Sequence, residues 1–291
     1  MKNSDSIKPI CFALLSASLY AISSPASKLF LSYIPPTMMA AFLYLGAGIG
    51  LSFVVLLQKI FGFSSNEKPL TKKDFPYAAA MVILDIAAPI CLMIGLSKTT
   101  AANASLLNNF EIASTSLIAF FIFKEIITKR TWIAIVLVTI SSIILSFEDI
   151  SSFSFSYGSA FILLACIIWG LENNCSKVLS NKNPIEIVII KGLLSGFGSL
   201  NIALIIGEHF TKFILISGAV FLGFLSYGLS TFYYIYAQRT LGAAKTSTYC
   251  SLSPFISVVF SLIIFREMPK LSFFAALIIM AIGTYFLSTQ K

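Results

Sequence analysis

Apolar residues run along this chain in blocks of about twenty, each bounded by Lys, Asp, Glu, Pro or Gly. Windows of about 19 residues delimit ten blocks, approximately 9–31, 37–60, 75–96, 100–123, 131–147, 158–178, 185–206, 213–237, 242–264 and 270–288. A helix rises ~1.5 Å per residue, so ~20 residues cross a ~30 Å hydrocarbon layer. Each block therefore predicts one membrane-spanning helix. The first is longer than the core of a signal peptide and has a counterpart later in the chain, so it too reads as a span. The connections are short, the longest being the polar stretch Ser64–Asp74.

Of the 291 residues, 57% are hydrophobic and 11% charged, against roughly 25% charged in soluble domains. With a mean hydropathy of +0.91, the surface as well as the interior must be apolar, which only lipid tolerates. Ten spans use up the chain and leave no room for a soluble catalytic domain. The predicted fold is an all-α polytopic membrane protein with ten transmembrane helices.

The net charge of +8 arises from Lys and Arg scattered at block ends rather than gathered in a patch, which argues for membrane orientation and against a nucleic-acid partner. With the amino terminus inside, 14 of the 20 Lys and Arg fall at inner ends and loops and five at outer ones, with Lys191 inside a span. Both termini and Ser64–Asp74 are thus expected on the cytoplasmic side of an inner or plasma membrane, and Glu148–Ser156 outside. The cysteines Cys11, Cys91, Cys166, Cys175 and Cys250 lie in apolar runs without metal-type spacing, and His209 is the sole histidine. Neither a metal nor any other cofactor is expected.

The two halves of the chain resemble each other. Phe12, Leu14, Leu15, Ser27, Lys28 and Pro35 recur 149 residues later as Phe161, Leu163, Leu164, Ser176, Lys177 and Pro184. Ala101, Ala102, Ser105, Phe123, Glu125 and Ala134 recur 142 residues later as Ala243, Ala244, Ser247, Phe265, Glu267 and Ala276. Gly46-xxx-Gly50 has Gly192-xxx-Gly196 as its counterpart. A five-helix unit is therefore used twice, over residues 1–150 and 151–291. Because five is odd, the second unit enters the membrane from the opposite side. Such an inverted repeat is the plan of alternating-access carriers.

Gly95–Phe147, with Ala101-Ala102 opening a span, Glu111 near its centre and Phe123-Lys124-Glu125 closing it, resembles the first half of the ten-helix, EamA-type branch of the drug/metabolite transporter superfamily. Tyr236–Ser288, with Ala237-Gln238-Arg239, Ala243-Ala244, Ser253-Pro254 and Arg266-Glu267, resembles the second half, and Trp169-Gly170 matches a dipeptide common in that family. The pattern departs where Tyr20-Ala21 replaces Trp-Gly, Ile112 replaces Pro, and the second span has no Arg. The resemblance implies a secondary transporter, an exporter, of a small metabolite such as an amino acid or related amphipathic compound. Its partners would be that substrate, the lipid bilayer and, as a coupling ion, protons, in a monomer or homodimer.

Ionisable side chains within spans are the first candidates for such work, since each costs roughly 2.5–3.5 kcal/mol on insertion scales. Asp85 lies 13 residues before Lys98 and Glu111 13 after it, which puts both carboxyls at similar depth on adjacent antiparallel helices. Either they face each other and share a proton, or Asn103, Asn108 or Asn109 holds them as satisfied polar packing. Glu172 and Lys191 each lie about six residues from the inner membrane boundary and are expected to pair. Trp169 and Asn173 flank Glu172, while Tyr227, Tyr233 and Tyr249 could present rings and hydroxyls to an amphipathic solute. Lys28 and Lys177 read as anchors at span ends. The chain has no GxxxxGK[ST] run, so ATP hydrolysis is not expected. A membrane enzyme acting on a lipid would need clustered nucleophiles or metal ligands that this chain does not spell out. A channel is the third alternative.

Overall fold

The computed structural model describes residues 4–61, 67–124, 126–149, 154–179, 182–210, 212–241, 249–266 and 268–288. The first half contains α1 (Ser4–Ala21), α2 (Ser23–Phe30), α3 (Pro36–Ile60), α4 (Phe75–Lys98), α5 (Ala101–Leu107), α6 (Phe110–Phe121) and α7 (Lys129–Ser146). The second contains α8 (Tyr157–Val178), α9 (Pro184–Ile205), α10 (Phe213–Gly223), a π-helical segment (Phe224–Leu229), α11 (Ser230–Leu241), α12 (Ser253–Phe265) and α13 (Leu271–Ser288). An antiparallel ribbon of two short strands, Phe147–Asp149 and Ser154–Phe155, lies between the halves. That ribbon is the one departure from the all-helical expectation among the described residues.

Among the described residues, seven helical stretches are long and apolar enough to cross a membrane, and Ser253–Phe265 and Leu271–Phe286 are shorter apolar helices. Polar residues at the block edges start several of them. Thr128 accepts a hydrogen bond from Thr131 N, Ser156 from Ser159 N, and Asn183 from Ile185 N and Glu186 N, each supplying an acceptor to donors that lack one in the first turn. Pro36 and Pro184 occupy first-turn positions, where a missing N–H costs nothing.

Three apolar blocks are not single regular helices. The fourth breaks at Asn108-Asn109, two residues of low helix propensity. The first breaks at Ile22, just before Ser23-Ser24-Pro25. The eighth widens into the π segment. Of the ninth block, 242–248 lie outside the described residues, as do the repeat positions Glu125, Ala243, Ala244, Ser247 and Glu267.

Packing treats the halves alike. Among the extensive pairings are α3 with α9, α4 with α8, α1 with α11 and the π segment, α5 with α12, and α7 with α13. Exchanging first-half spans for their second-half counterparts maps this set onto itself. The contacts of α6 with α8 and of α1 with α12 obey the same exchange. Lys124 (φ 57°) and Arg266 (φ 53°), 142 residues apart, are the two non-glycine residues with left-handed backbone among those described. A rare conformation at one position of both units ties the repeat to backbone geometry.

The centre of the exchange is the crossing of α3 and α9. A Cβ on Gly48 would lie 2.6 Å from Leu193 N, and one on Gly192 would lie 2.5 Å from Gly48 N. Gly196 faces Leu45 while Gly192 faces Gly48, so the two helices run antiparallel. At the end of α3 near Pro36, Glu208 accepts hydrogen bonds from Thr37 N (3.2 Å) and Met38 N (2.8 Å). At the opposite end of the bundle, Lys182 pairs with Asp74 (2.8 Å), Asn183 N donates to Lys68 O (2.9 Å), and Leu70 N donates to Glu186 (3.2 Å).

Small buried residues such as Ala40, Ala104, Ala165, Ser141 and Ser195 line these contacts, whereas Phe53, Ile83, Ile143 and Ile263 are exposed on the outside. Helices in lipid associate by close van der Waals approach, so small side chains belong inside and large apolar ones outside.

Candidate functional site

Seven elements converge beside the α3–α9 crossing on a cavity of about 190 Å³ lined by Tyr20, Tyr44, Glu111, Trp169, Lys191, Tyr227 and Thr231, together with Glu172 and Asn173. Drug-sized pockets measure roughly 300–1,000 Å³, so this space suits a smaller solute. A second cavity, of about 590 Å³, lies at the Lys98 end between α4, α5, α7, α12 and α13.

Beneath the central cavity is a network of charges. Lys191 Nζ lies 2.9 Å from Asp85 Oδ2 and 3.1 Å from Glu172 Oε1. Asp85 is fully buried, and its Oδ1 accepts from Tyr44 OH (3.0 Å) and Trp169 Nε1 (3.3 Å). Glu172, also buried, accepts a hydrogen bond from Ser176 Oγ on the next turn. One cation thus serves two carboxylates from opposite halves, with neutral donors completing Asp85.

Glu111 stands apart. Its Oε1 accepts from Asn173 Nδ2 (2.8 Å), and that amide also donates to Thr115 Oγ1 (3.2 Å). No Lys or Arg among the described residues lies within ion-pair distance of it. Glu111 occupies the first turn of α6, immediately after the Asn108-Asn109 break, so the break brings a carboxylate and the start of a half-helix to the cavity.

The structure sorts the sequence candidates. Glu111, Trp169, Glu172, Asn173, Lys191 and Tyr227 line the cavity, and Asp85 lies directly behind its wall. Asp85 and Glu111 do not pair with each other: the first belongs to Lys191 and the second to Asn173. Asn108, Tyr233 and Tyr249 are not among the lining residues. Tyr233 stacks on Phe12 at 5.5 Å instead. Six residues from Tyr227 is a rotation of about 240° on an α-helix, so the two rings take different faces. Tyr44 was not a sequence candidate. Only the α3–α4 contact brings its hydroxyl to Asp85, although a lone Tyr in an Ala/Gly-rich span is a readable signal.

A helical membrane bundle of two equivalent halves around an interior polar cavity defines a membrane transporter, and comparison with known proteins agrees. The EamA-like transporter family matches residues 7–147 and 156–289, and the chain belongs to that family. It is 28% identical over 271 residues to a protein called an uncharacterized transporter from Methanothermobacter thermautotrophicus (strain ATCC 29096 / DSM 1053 / JCM 10044 / NBRC 100330 / Delta H), covering 88% of this chain and 79% of the relative. A protein of known crystal structure superposes with a TM-score of 0.63 at 15% identity, over 99% of this chain and 96% of the other, a likeness of fold.

Proposed function

We propose that this chain is a secondary transporter of ten spans in two inverted five-helix repeats. It exports a small metabolite, such as an amino acid or related amphipathic compound, from a cell whose inner or plasma membrane holds it with both termini cytoplasmic. The observation that carries this reading is the central cavity itself. It sits at the crossing of the exchange-related helices α3 and α9 and takes its lining from both halves. Backbone-to-backbone contact at Gly48 and Gly192 gives a compact pivot, and helices meeting on either side of it can exchange contacts as the halves rock.

Proton movement is the proposed driving force, with Glu111 as the carrier. Asp85 and Glu172 already hold a lysine, whereas Glu111 has only amide support and faces the cavity, so it can change protonation state without leaving a buried cation unpaired.

Purified protein in liposomes, offered a panel of labelled metabolites with and without an imposed pH gradient, tests the reading. Saturable uptake that accumulates with the gradient is expected. Unsaturable flux would identify a channel, and absence of flux with turnover of lipid would identify an enzyme.

A further inference from the structure

We infer that the central cavity is selective for organic cations, so that its ligand carries a protonated amine or quaternary ammonium on a small apolar or aromatic body and no carboxylate. This rests on the transporter reading and, within its small amphipathic compounds, selects amines over amino acids.

The inference follows from which polar groups around the cavity are already committed. Lys191, the cation in the lining, is held by Asp85 and Glu172 at ion-pair distance. Tyr44 OH and Trp169 Nε1 both donate to Asp85. Thr231 Oγ1 donates to the Tyr227 carbonyl (2.6 Å), and Tyr227 OH accepts from Ser23 (3.4 Å). With their polar atoms engaged, Tyr44 and Trp169 offer a ligand chiefly ring surface. Tyr227 stands 5.7 Å from Tyr20 and 5.6 Å from Tyr44, centroid to centroid, so three tyrosine rings cluster on one side of the space.

Glu111 shares the lining with those rings, a carboxylate that accepts from one amide and has no Lys or Arg at ion-pair distance among the described residues. Aromatic faces carry negative potential and attract cations, and a carboxylate in a low-dielectric space does so more strongly. A ligand carboxylate would find no unengaged cation and would confront Glu111, Glu172 and Asp85 together. The volume of about 190 Å³ limits the body attached to the nitrogen to a small one.

Phenethylamine, phenylalanine and phenylacetate share one ring and differ in charge, and they form the test set. The chain has two tryptophans. Trp132 is 37% exposed on α7 and packs on Phe120, outside the cavity, so Trp132→Phe leaves Trp169 as sole fluorophore. In detergent or nanodiscs, phenethylamine is expected to quench Trp169 saturably, with phenylalanine and phenylacetate at least about tenfold weaker. Glu111→Gln should erase that preference and Glu111→Asp should restore part of it, which separates a charge effect from a folding defect. Equal or tighter binding of phenylalanine or phenylacetate would overturn the inference, as would no binding of any of the three.

Counterflow of the same compounds in liposomes separates this inference from the transporter reading. Amine binding without flux of any solute would sink the transporter reading alone. Amino-acid flux without amine binding would sink the cation inference alone.

Discussion

Lys191 holds its ammonium 2.9 Å from the Asp85 carboxylate, joining α9 of one repeat to α4 of the other deep in the bundle. Glu172 shares the same ammonium from α8. Removing the lysine strands two buried carboxylates, whereas removing Asp85 leaves an intact pair. Loss of one partner from a buried ion pair costs roughly 3–5 kcal/mol, here moderated because the lysine side chain is 26% exposed. Lys191→Met should therefore melt well below Asp85→Asn in detergent. Lys191→Met with Glu172→Gln should recover only part of the loss, and adding Asp85→Asn should recover most of the rest. If the single variants melt alike, the shared-cation arrangement is not what holds these charges.

Glu111 offers a mechanistic test that does not depend on stability. If it carries the coupled proton, Glu111→Gln should abolish accumulation driven by a pH gradient while leaving exchange at saturating substrate within about threefold of the parent, since exchange needs no net proton movement and a weakened affinity only raises the substrate concentration required. Asp85→Asn should depress both activities together, because Asp85 fixes Lys191, Tyr44 and Trp169 in the cavity wall. Parallel loss of both activities at saturating substrate in both variants would deny Glu111 the proton and leave it only a ligand or wall residue.

Close packing at the α3–α9 crossing predicts intolerance to a single methyl. Gly48→Ala and Gly192→Ala each place a carbon about 2.6 Å from the facing backbone, which cannot swing aside. Each should lose roughly 1–3 kcal/mol by overpacking, read as lower melting temperature and faster proteolysis. Gly218→Ala is the comparison, since its added methyl meets only the edge of the Phe30 ring, which can rotate away. Equal losses in all three would deny the crossing any special role.

Orientation is testable at two exposed lysines on connections at opposite ends of the bundle. In a cysteine-free background, a cysteine at Lys72 should react with an impermeant maleimide only from the cytoplasmic side, and one at Lys212 only from outside. The reverse pattern would invert the proposed topology and the direction assigned to export.

Much of the architecture was legible from apolar block length, because the bilayer imposes a fixed span on any helix that crosses it. The repeat was equally legible, since corresponding residues recur at nearly constant offsets; the structure adds a left-handed residue at both Lys124 and Arg266. The breaks at Ile22 and Asn108-Asn109 and the π segment were not visible in the apolar pattern, because hydropathy records where a chain can cross and not whether its hydrogen-bond ladder stays regular.

The site divided along the same line. Sequence by itself determined that few charges lie within spans and, by counting from the span ends, set Glu172 and Lys191 at a common depth. From that depth it paired Glu172 with Lys191, as the structure has them, but it could not tell which other groups would join them. Depth runs along the helix axis, but contact depends on rotation about that axis and on which neighbours close packing admits. Tertiary structure made that choice: it gave Asp85 to Lys191, left Glu111 with an amide, and added Tyr44 to the charge network, because α3, α4, α8 and α9 meet where small residues let their backbones come close.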